Sequence, residues 1–517
     1  MKSIYVKNTL VLSMCMLITK LLGAFYRIPL SNILGTKGVG VYQMVFSVYS
    51  LFLVFITGAM PVFISQKVSC YRAKNDTKNL SALIKNAVFL CFILGVLSAV
   101  VLSLFSSLFA AAQQIPYSTF CYVIVATSIV FSAVTSVYRG YFQGFENMTP
   151  SAIGGIIEQT LKLVFGLVLS FYLKRYGAIY SVYGAFLGVD ISEIFCFCYV
   201  YFNFKKHQNC LQKSYIKYIQ VKNIFFEFLP ISLAGIILPI SACIDSFVVV
   251  NLLNFSGIEI GVATSMFGIA TGMINPLVNF PIILSGTVAT SFLPTLTYKI
   301  SKNEDTKTLT SGTYFFVWFV CLPCVAGIIA LASNIIYVFF PAIELAYRNV
   351  SVYYLTVSAF NIIWLSVSQV SVAILNAYGK FKYVLFSQFM SMVLKFLLFI
   401  VFVIIGKMNI VALCFATTLS NAFCCVINLL CVKKMCEFSV QIKQSIFCFV
   451  CSFIMSASVV ILNSYIKFSI LSKTVMLVGF GIMEYLILSV FLKTISLQKI
   501  KQLFVKSNSN LIKDTKK

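Results

Sequence analysis

The stretch Ala87-Val88-Phe89-Leu90-Cys91-Phe92-Ile93-Leu94-Gly95-Val96-Leu97-Ser98-Ala99-Val100-Val101-Leu102-Ser103-Leu104 contains no charged residue. A helix rises about 1.5 Å per residue, so such a run nearly crosses the ~30 Å hydrocarbon core of a bilayer. The rest of the chain repeats the pattern. Of its 517 residues, 60% are apolar and only 10% charged, with a mean hydropathy of +0.96. A soluble domain carries about 25% charged residues, so a conventional water-soluble enzyme is excluded. Runs of this kind predict fourteen spans. The first seven lie near 8–30, 40–64, 84–109, 118–143, 152–173, 179–203 and 224–252. The others lie near 262–292, 311–333, 348–376, 383–405, 410–432, 444–466 and 470–492. Lys20 and Arg27 interrupt the first run and no small-residue cleavage site follows, which argues against a cleaved signal peptide. The expected fold is an all-α polytopic membrane protein.

Charge supplies the orientation. The chain has 39 Lys and Arg against 14 Asp and Glu, a formal net of +25. With a cytoplasmic N-terminus, 28 of the 39 bases fall on the cytoplasmic side, about 7 on the other, and four within spans. That bias predicts cytoplasmic termini and a multi-pass protein of the cell membrane. The basic segments are 65–85 (Lys67, Arg72, Lys74, Lys78, Lys85), 204–222 (Lys205, Lys206, Lys213, Lys217, Lys222) and the tail from Lys493. They read as topology signals that also attract anionic lipid, and no nucleic-acid partner is expected. The 17 cysteines lie mostly inside apolar runs, as at Cys196, Cys198, Cys424, Cys425, Cys448 and Cys451. The only histidine, His207, stands in a basic loop. Neither a disulfide framework, a metal site nor a cofactor is expected.

The chain also repeats itself. Met60-Pro61-Val62-Phe63-Ile64-Ser65 lies over Phe280-Pro281-Ile282-Ile283-Leu284-Ser285, and Phe142-Gln143-Gly144-Phe145 over Leu375-Asn376-Ala377-Tyr378. At the second offset Lys162 falls on Lys395. We therefore expect an N-lobe with its basic linker (1–222), a C-lobe (223–440), two extra spans (441–492) and a basic tail (493–517). Six spans per lobe give the repeats one orientation, about an axis along the membrane normal, as in rocking transporters. Gly268, Gly272, Pro276, Pro281 and Gly286 predict a bent eighth span, with Pro276 and Pro281 as hinge.

Charges inside spans cost roughly 2.5–3.5 kcal/mol each on insertion scales and normally face a cavity or a partner. Lys20 and Arg27 lie two turns apart on one face with Gly23 between them, and no acid accompanies them in that span. Glu158 and Lys162 have the i,i+4 spacing of an ion pair. Lys395 has no acid in its own span, so its partner is sought in Asp245, or in Asp190 and Glu193. The last two share a face at i,i+3, where a cation, a proton or a base must join them. Glu158, Asp190, Glu193 and Asp245 are thus candidates for ion pairing or ion coupling. Arg139 ends the fourth span, as an anchor or as a gate for an anionic headgroup. Lys20, Arg27, Arg139, Lys162 and Lys395 together suit a phosphate-bearing anion, because charge-assisted bonds are strong where little water competes. A lipid-linked pyrophosphate saccharide fits, and an inside-negative potential favours its outward movement by about 2.3 kcal/mol per charge per 100 mV.

Longer motifs then bear a family likeness. Leu22-Gly23-Ala24-Phe25-Tyr26-Arg27-Ile28-Pro29-Leu30, Leu34-Gly35 and Gly38-Val39-Gly40-Val41-Tyr42-Gln43 resemble the opening of the stage V sporulation protein B family of polysaccharide exporters. So do Tyr138-Arg139-Gly140-Tyr141-Phe142-Gln143-Gly144, Asn147-Met148-Thr149-Pro150 and Ile157-Glu158-Gln159. Leu229-Pro230-Ile231, Ile244-Asp245-Ser246-Phe247 and Ile374-Leu375-Asn376-Ala377-Tyr378-Gly379-Lys380 extend the likeness over nearly the whole chain. The resemblance implies membership of the multidrug/oligosaccharidyl-lipid/polysaccharide exporter superfamily, which includes lipid II flippases. It implies fourteen helices, alternating access and a lipid-linked cell-wall or polysaccharide precursor, with work in the spore cortex. In the flippase branch, arginines of span one face the cavity; Arg27 matches one, and Lys20 another in charge with a one-residue offset. That branch's arginines of span two are missing, since Val45 to Phe63 holds no charge.

The expected activity is therefore a lipid-linked saccharide flippase acting as a monomer among membrane lipids, and not an enzyme. The alternative is a cation-coupled multidrug exporter, which calls for an acid in the first span where this chain has bases. A membrane glycosyltransferase needs acidic or histidine-bearing loops, whereas the longest loops here are lysine-rich.

Overall fold

The computed structural model describes residues 2–207, 218–302, 304–435 and 442–492. Within these, the side chains at 2–17, 20, 24, 218–220, 234, 290, 291, 294, 295, 442 and 443 are not described. The basic tail 493–517 and the linker residues Lys213 and Lys217 lie outside the described residues.

Every element among the described residues is helical. In chain order these are α1 (Lys2–Thr57), α2 (Met60–Ala73), α3 (Thr77–Leu104), α4 (Ser106–Ala112), α5 (Thr119–Gly144), α6 (Thr149–Leu173) and α7 (Ala178–His207). Then come α8 (Tyr218–Gly235), α9 (Ile237–Phe255), α10 (Ile260–Gly268), a π-helical turn at Ile269–Ile274, α11 (Asn275–Ser301) and α12 (Lys307–Phe339). The remainder are α13 (Leu345–Ala359), α14 (Asn361–Ala377), α15 (Phe381–Ile404), α16 (Val411–Met435), α17 (Ile442–Tyr465) and α18 (Ile470–Phe491).

Thirteen described segments are long and apolar enough to cross a membrane. The first of them, Leu21–Ala73, has 53 residues; at 1.5 Å per residue that is about 80 Å, enough for two passes. It supplies two of the fourteen expected spans. Inside it Gly35 leaves helical geometry, with φ 70° and ψ 174°, a conformation that glycine adopts without strain. Contacts with α6 fix the path of the chain on either side of this glycine. The Tyr26 hydroxyl oxygen lies 2.5 Å from where a Cβ on Gly166 would stand. The Lys162 ammonium, one turn earlier on α6, is 5.6 Å from the centre of the Phe46 ring. A straight helix would put Phe46 roughly 30 Å beyond Tyr26. So α1 doubles back at Gly35, and both of its limbs pack against α6.

The chain forms two compact units. The first comprises Met1–Phe280, Ala342–Arg348 and Gln388–Ala416; the second comprises Pro281–Pro341, Asn349–Ser387 and Thr417–Lys517. In the first unit small residues bring backbones together, as van der Waals packing between membrane helices requires. A Cβ on Gly188 of α7 would stand 2.4 Å from the backbone of Gly166 of α6, and one on Gly184 would stand 2.5 Å from Leu169. Likewise Gly40 of α1 faces the Thr264 carbonyl of α10, and Gly268 faces the Gly40 nitrogen.

The second unit is held differently, by polar side chains ranged along α14. Ser366 bonds Ser285 of α11 at 2.8 Å, and Ser371 bonds Tyr314 of α12 at 2.8 Å. Asn428 of α16 donates to Ser368 at 3.0 Å and accepts from Ser387 of α15 at 2.7 Å. Asn361 donates to Thr418 at 3.0 Å and accepts from Asn421 at 2.9 Å. Beside this ladder, Leu331 of α12 packs with Met455 and Val459 of α17 and with Leu477 and Tyr485 of α18.

Candidate functional site

The charged residues of the first unit are fixed by the close packing of α5, α6 and α7. A Cβ on Gly140 would stand 2.8 Å from the Pro61 carbonyl, so the end of α5 is pinned against α2. The preceding residue, Arg139, is thereby aimed inward, a full turn before its helix ends. Its Nη2 donates to Glu158 Oε2 of α6 at 2.8 Å and lies 3.1 Å from Cys196 Sγ of α7. Gln159 Nε2 donates to the other Glu158 oxygen at 3.1 Å. Glu193 of α7 is buried, and the charges of Glu158, Arg139 and Lys162 act on it.

The sequence spacing pairs Glu158 with Lys162, but the structure pairs it with Arg139. A planar guanidinium arriving from a facing helix matches a carboxylate better than a flexible ammonium on the same helix. Lys162 points instead at the ring of Phe46, a contact worth about 0.5–2 kcal/mol.

Arg27 sits on the outgoing limb of α1, half-buried, where Gly23 lets Gln159 of α6 come within 3.3 Å of a would-be Cβ. Lys20 lies on the same limb, and its side chain is outside the described residues. Neither Arg27 nor Lys162 has a carboxylate at ion-pair distance among the described residues.

Lys395 of α15 is buried, and its ammonium donates to Asp245 Oδ2 of α9 at 2.9 Å and to Ser241 Oγ at 2.5 Å. Ser241 and Asp245 are one turn apart, so one face of α9 receives two of the three ammonium protons. Of the three acids offered by the sequence, the structure chooses Asp245. Asp190 and Glu193 are brought to the α5–α6–α7 cluster instead.

Pro276 and Pro281 fall in the first turns of α11, directly after the π-helical turn. A proline at 276 removes a backbone donor, and the wider π turn absorbs the mismatch. Gly272 inside that turn leaves room for Val39 and Gln43 of α1.

Two acids within the expected spans escaped the sequence reading: Glu227, which pairs with Lys67 of α2 at 2.5 Å, and Glu484. Glu484 of α18 accepts a hydrogen bond from Ser458 of α17. Its signal was as plain as the others: a single carboxylate in the apolar run 470–492.

Comparison with known proteins agrees with this picture. A family model described as a polysaccharide biosynthesis protein matches residues 5–300. The lipid II flippase MurJ of Bacillus subtilis (strain 168) is 25% identical over 516 residues, covering 91% of this chain and 90% of its own. Stage V sporulation protein B of the same organism is 25% identical over 302 residues, 57% of this chain and 58% of its own. A solved lipid II flippase MurJ in an inward closed conformation superposes with a TM-score of 0.73 at 17% identity, covering 93% of this chain and 98% of that one. An inward-facing multidrug resistance MATE transporter of the MOP superfamily gives a TM-score of 0.64 at 16% identity, covering 83% of this chain and 98% of that one. At such identities the superpositions establish the all-helical transporter fold.

Proposed function

Because the chain belongs to the polysaccharide biosynthesis protein family, we propose that it is an alternating-access flippase moving a lipid-linked pyrophosphate saccharide from the inner to the outer leaflet. The relatives' names, a lipid II flippase and a stage V sporulation protein, support this reading, and we take the cargo to be a peptidoglycan or other cell-wall precursor used in the spore cortex. The observation that carries the reading is the difference among the intramembrane bases. Arg139 and Lys395 are each neutralised by a carboxylate. Arg27 and Lys162 flank the same stretch of α1 and α6 without one. These two, with Lys20 on the same limb, hold the pyrophosphate by charge-assisted bonds in a poorly hydrated setting. Arg139 and Lys395 add less field to an anion and act mainly by holding α5 to α6 and α15 to α9.

The remaining parts belong to the same proposal. The lobes 1–222 and 223–440 rock against each other, the eighth span bends at the hinge Pro276 and Pro281, both termini are cytoplasmic, and one chain suffices. The membrane potential then drives the negative headgroup outward.

The test is a reconstituted flipping assay offering lipid II, an undecaprenyl-linked saccharide and a cationic dye. Wild-type protein is expected to flip a pyrophosphate-linked lipid. Arg27→Ala and Lys162→Met should each slow it about tenfold or more, since a hydrogen bond to a charged group is worth roughly 1.5–3 kcal/mol. Membrane levels should be unchanged. Transport of the dye alone would replace this reading with that of a multidrug exporter.

A further inference from the structure

Asp190 of α7 has no base beside it. Only 8% of it is exposed, and no Lys or Arg stands at ion-pair distance among the described residues. Its Oδ2 accepts from Thr127 Oγ1 of α5 at 2.9 Å, while its Oδ1 is buried with no hydrogen-bond partner. The groups around it are neutral hydroxyls. Ser128 Oγ donates to the Val125 carbonyl at 2.7 Å and lies 3.0 Å from the buried hydroxyl of Tyr49 of α1. One turn along α7 stands Glu193, 7% exposed, which feels Glu158 and Lys162 of α6 and Arg139 of α5, with Cys196 beyond it.

An isolated charge in such surroundings is neutralised by a partner or by a change of protonation. A metal ion gathers several oxygens around itself. Here Oδ1 makes no hydrogen bond, and no group of three or more His, Cys, Asp or Glu comes together among the described residues. A proton on the carboxyl removes the charge and requires no ring of ligands.

We propose that Asp190 is a proton-binding site, and that Glu193, one turn away, takes up a proton when an anion binds at Lys162. The linkage rests on the flippase reading. When a pyrophosphate engages the Lys162 ammonium, Glu193 loses part of the positive charge that acts on it. Glu193 then takes up a proton from water, and no bond of the substrate changes. By reciprocity, prior protonation raises affinity for the anion by the same factor.

The proton site is tested by infrared difference spectroscopy on the full chain in nanodiscs, wild type minus Asp190→Asn. A carboxylic-acid carbonyl band is expected at neutral pH, lost in alkali and unaltered by sodium. Absence of the band, or its loss on adding sodium at constant pH, overturns the proposal. Thr127→Val leaves the acid in place and should shift the band; an unmoved band counts against the assignment even if Asp190→Asn fails to fold. For the linkage, undecaprenyl pyrophosphate is added in weak buffer with a pH-indicator dye. Uptake approaching one proton per bound lipid is expected, falling at least twofold in Glu193→Gln. Binding without uptake overturns the linkage. Failure of this lipid to bind counts against the flippase reading and the linkage together, while the infrared band decides the proton site by itself.

Discussion

A lysine and an aspartate facing each other inside a membrane tolerate the loss of both better than the loss of one. Removing one member of a buried ion pair leaves an uncompensated charge and costs about 3–5 kcal/mol, whereas apolar replacement of both is often neutral. For Lys395 and Asp245 this predicts that Asp245→Ala lowers the melting temperature of the purified protein sharply. The double variant Lys395→Met with Asp245→Leu should recover most of it. Equal melting for the two would mean that the ion pair of α15 and α9 contributes nothing. The charged residues were legible in the sequence because an ionisable side chain is conspicuous in an apolar run. Their partners were not. Asp245 was one of three acids open to Lys395, and the i,i+4 spacing of Glu158 and Lys162 is satisfied on paper but not in space. Spacing along one helix is fixed by the chain, whereas the guanidinium of Arg139 comes from another helix whose rotation no single sequence reveals.

Among the elements, the most constrained contact lies where α1 crosses α10. A Cβ on Gly268 would stand 2.4 Å from the Gly40 nitrogen, so Gly268→Val forces two backbones apart. Overpacking of this kind costs typically 1–3 kcal/mol, and the expected outcome is reduced folded protein, measured by fluorescence-detected size exclusion. Gly479→Ala in α18 is the control: nothing stands within 4 Å of its Cβ, so yield should be unchanged or slightly raised, since glycine in a helix interior costs about 0.5–1 kcal/mol relative to alanine. All fourteen spans were legible, because a run of apolar residues is a one-dimensional signal. The interruptions were only half legible. The glycines and prolines of 268–286 announced a distortion, but its form, a π turn before Pro276, depends on the room that Val39 and Gln43 need. The break at Ile236, which divides the expected seventh span into α8 and α9, is flanked by Gly235 and Pro239, a mark that carried no weight beside the unbroken apolar run.

The whole molecule has a direction that its charges predict. Cys70 lies exposed in the basic segment between the second and third spans, whereas the other described cysteines are buried or half-buried. A membrane-impermeant maleimide should therefore modify Cys70 in inside-out vesicles and spare it in intact cells; the opposite pattern would invert the topology. The two compact units were not legible beforehand. A repeat in sequence reports common descent, whereas a compact unit reports which helices touch now, and 388–416 groups with the first 280 residues. The doubled-back α1 has a consequence for biogenesis. Its outgoing limb, with Lys20 and Arg27, and its returning limb, with Phe46, leave the ribosome long before α6 is made. Until Gln159, Lys162 and Gly166 arrive, Gly23, Tyr26 and Phe46 of this hairpin lack the helix they pack against in the folded protein. The cell must therefore either shelter the newborn hairpin at the insertion machinery or let its cations draw anionic headgroups, and the chain's earliest moments are governed by a partner still awaiting translation.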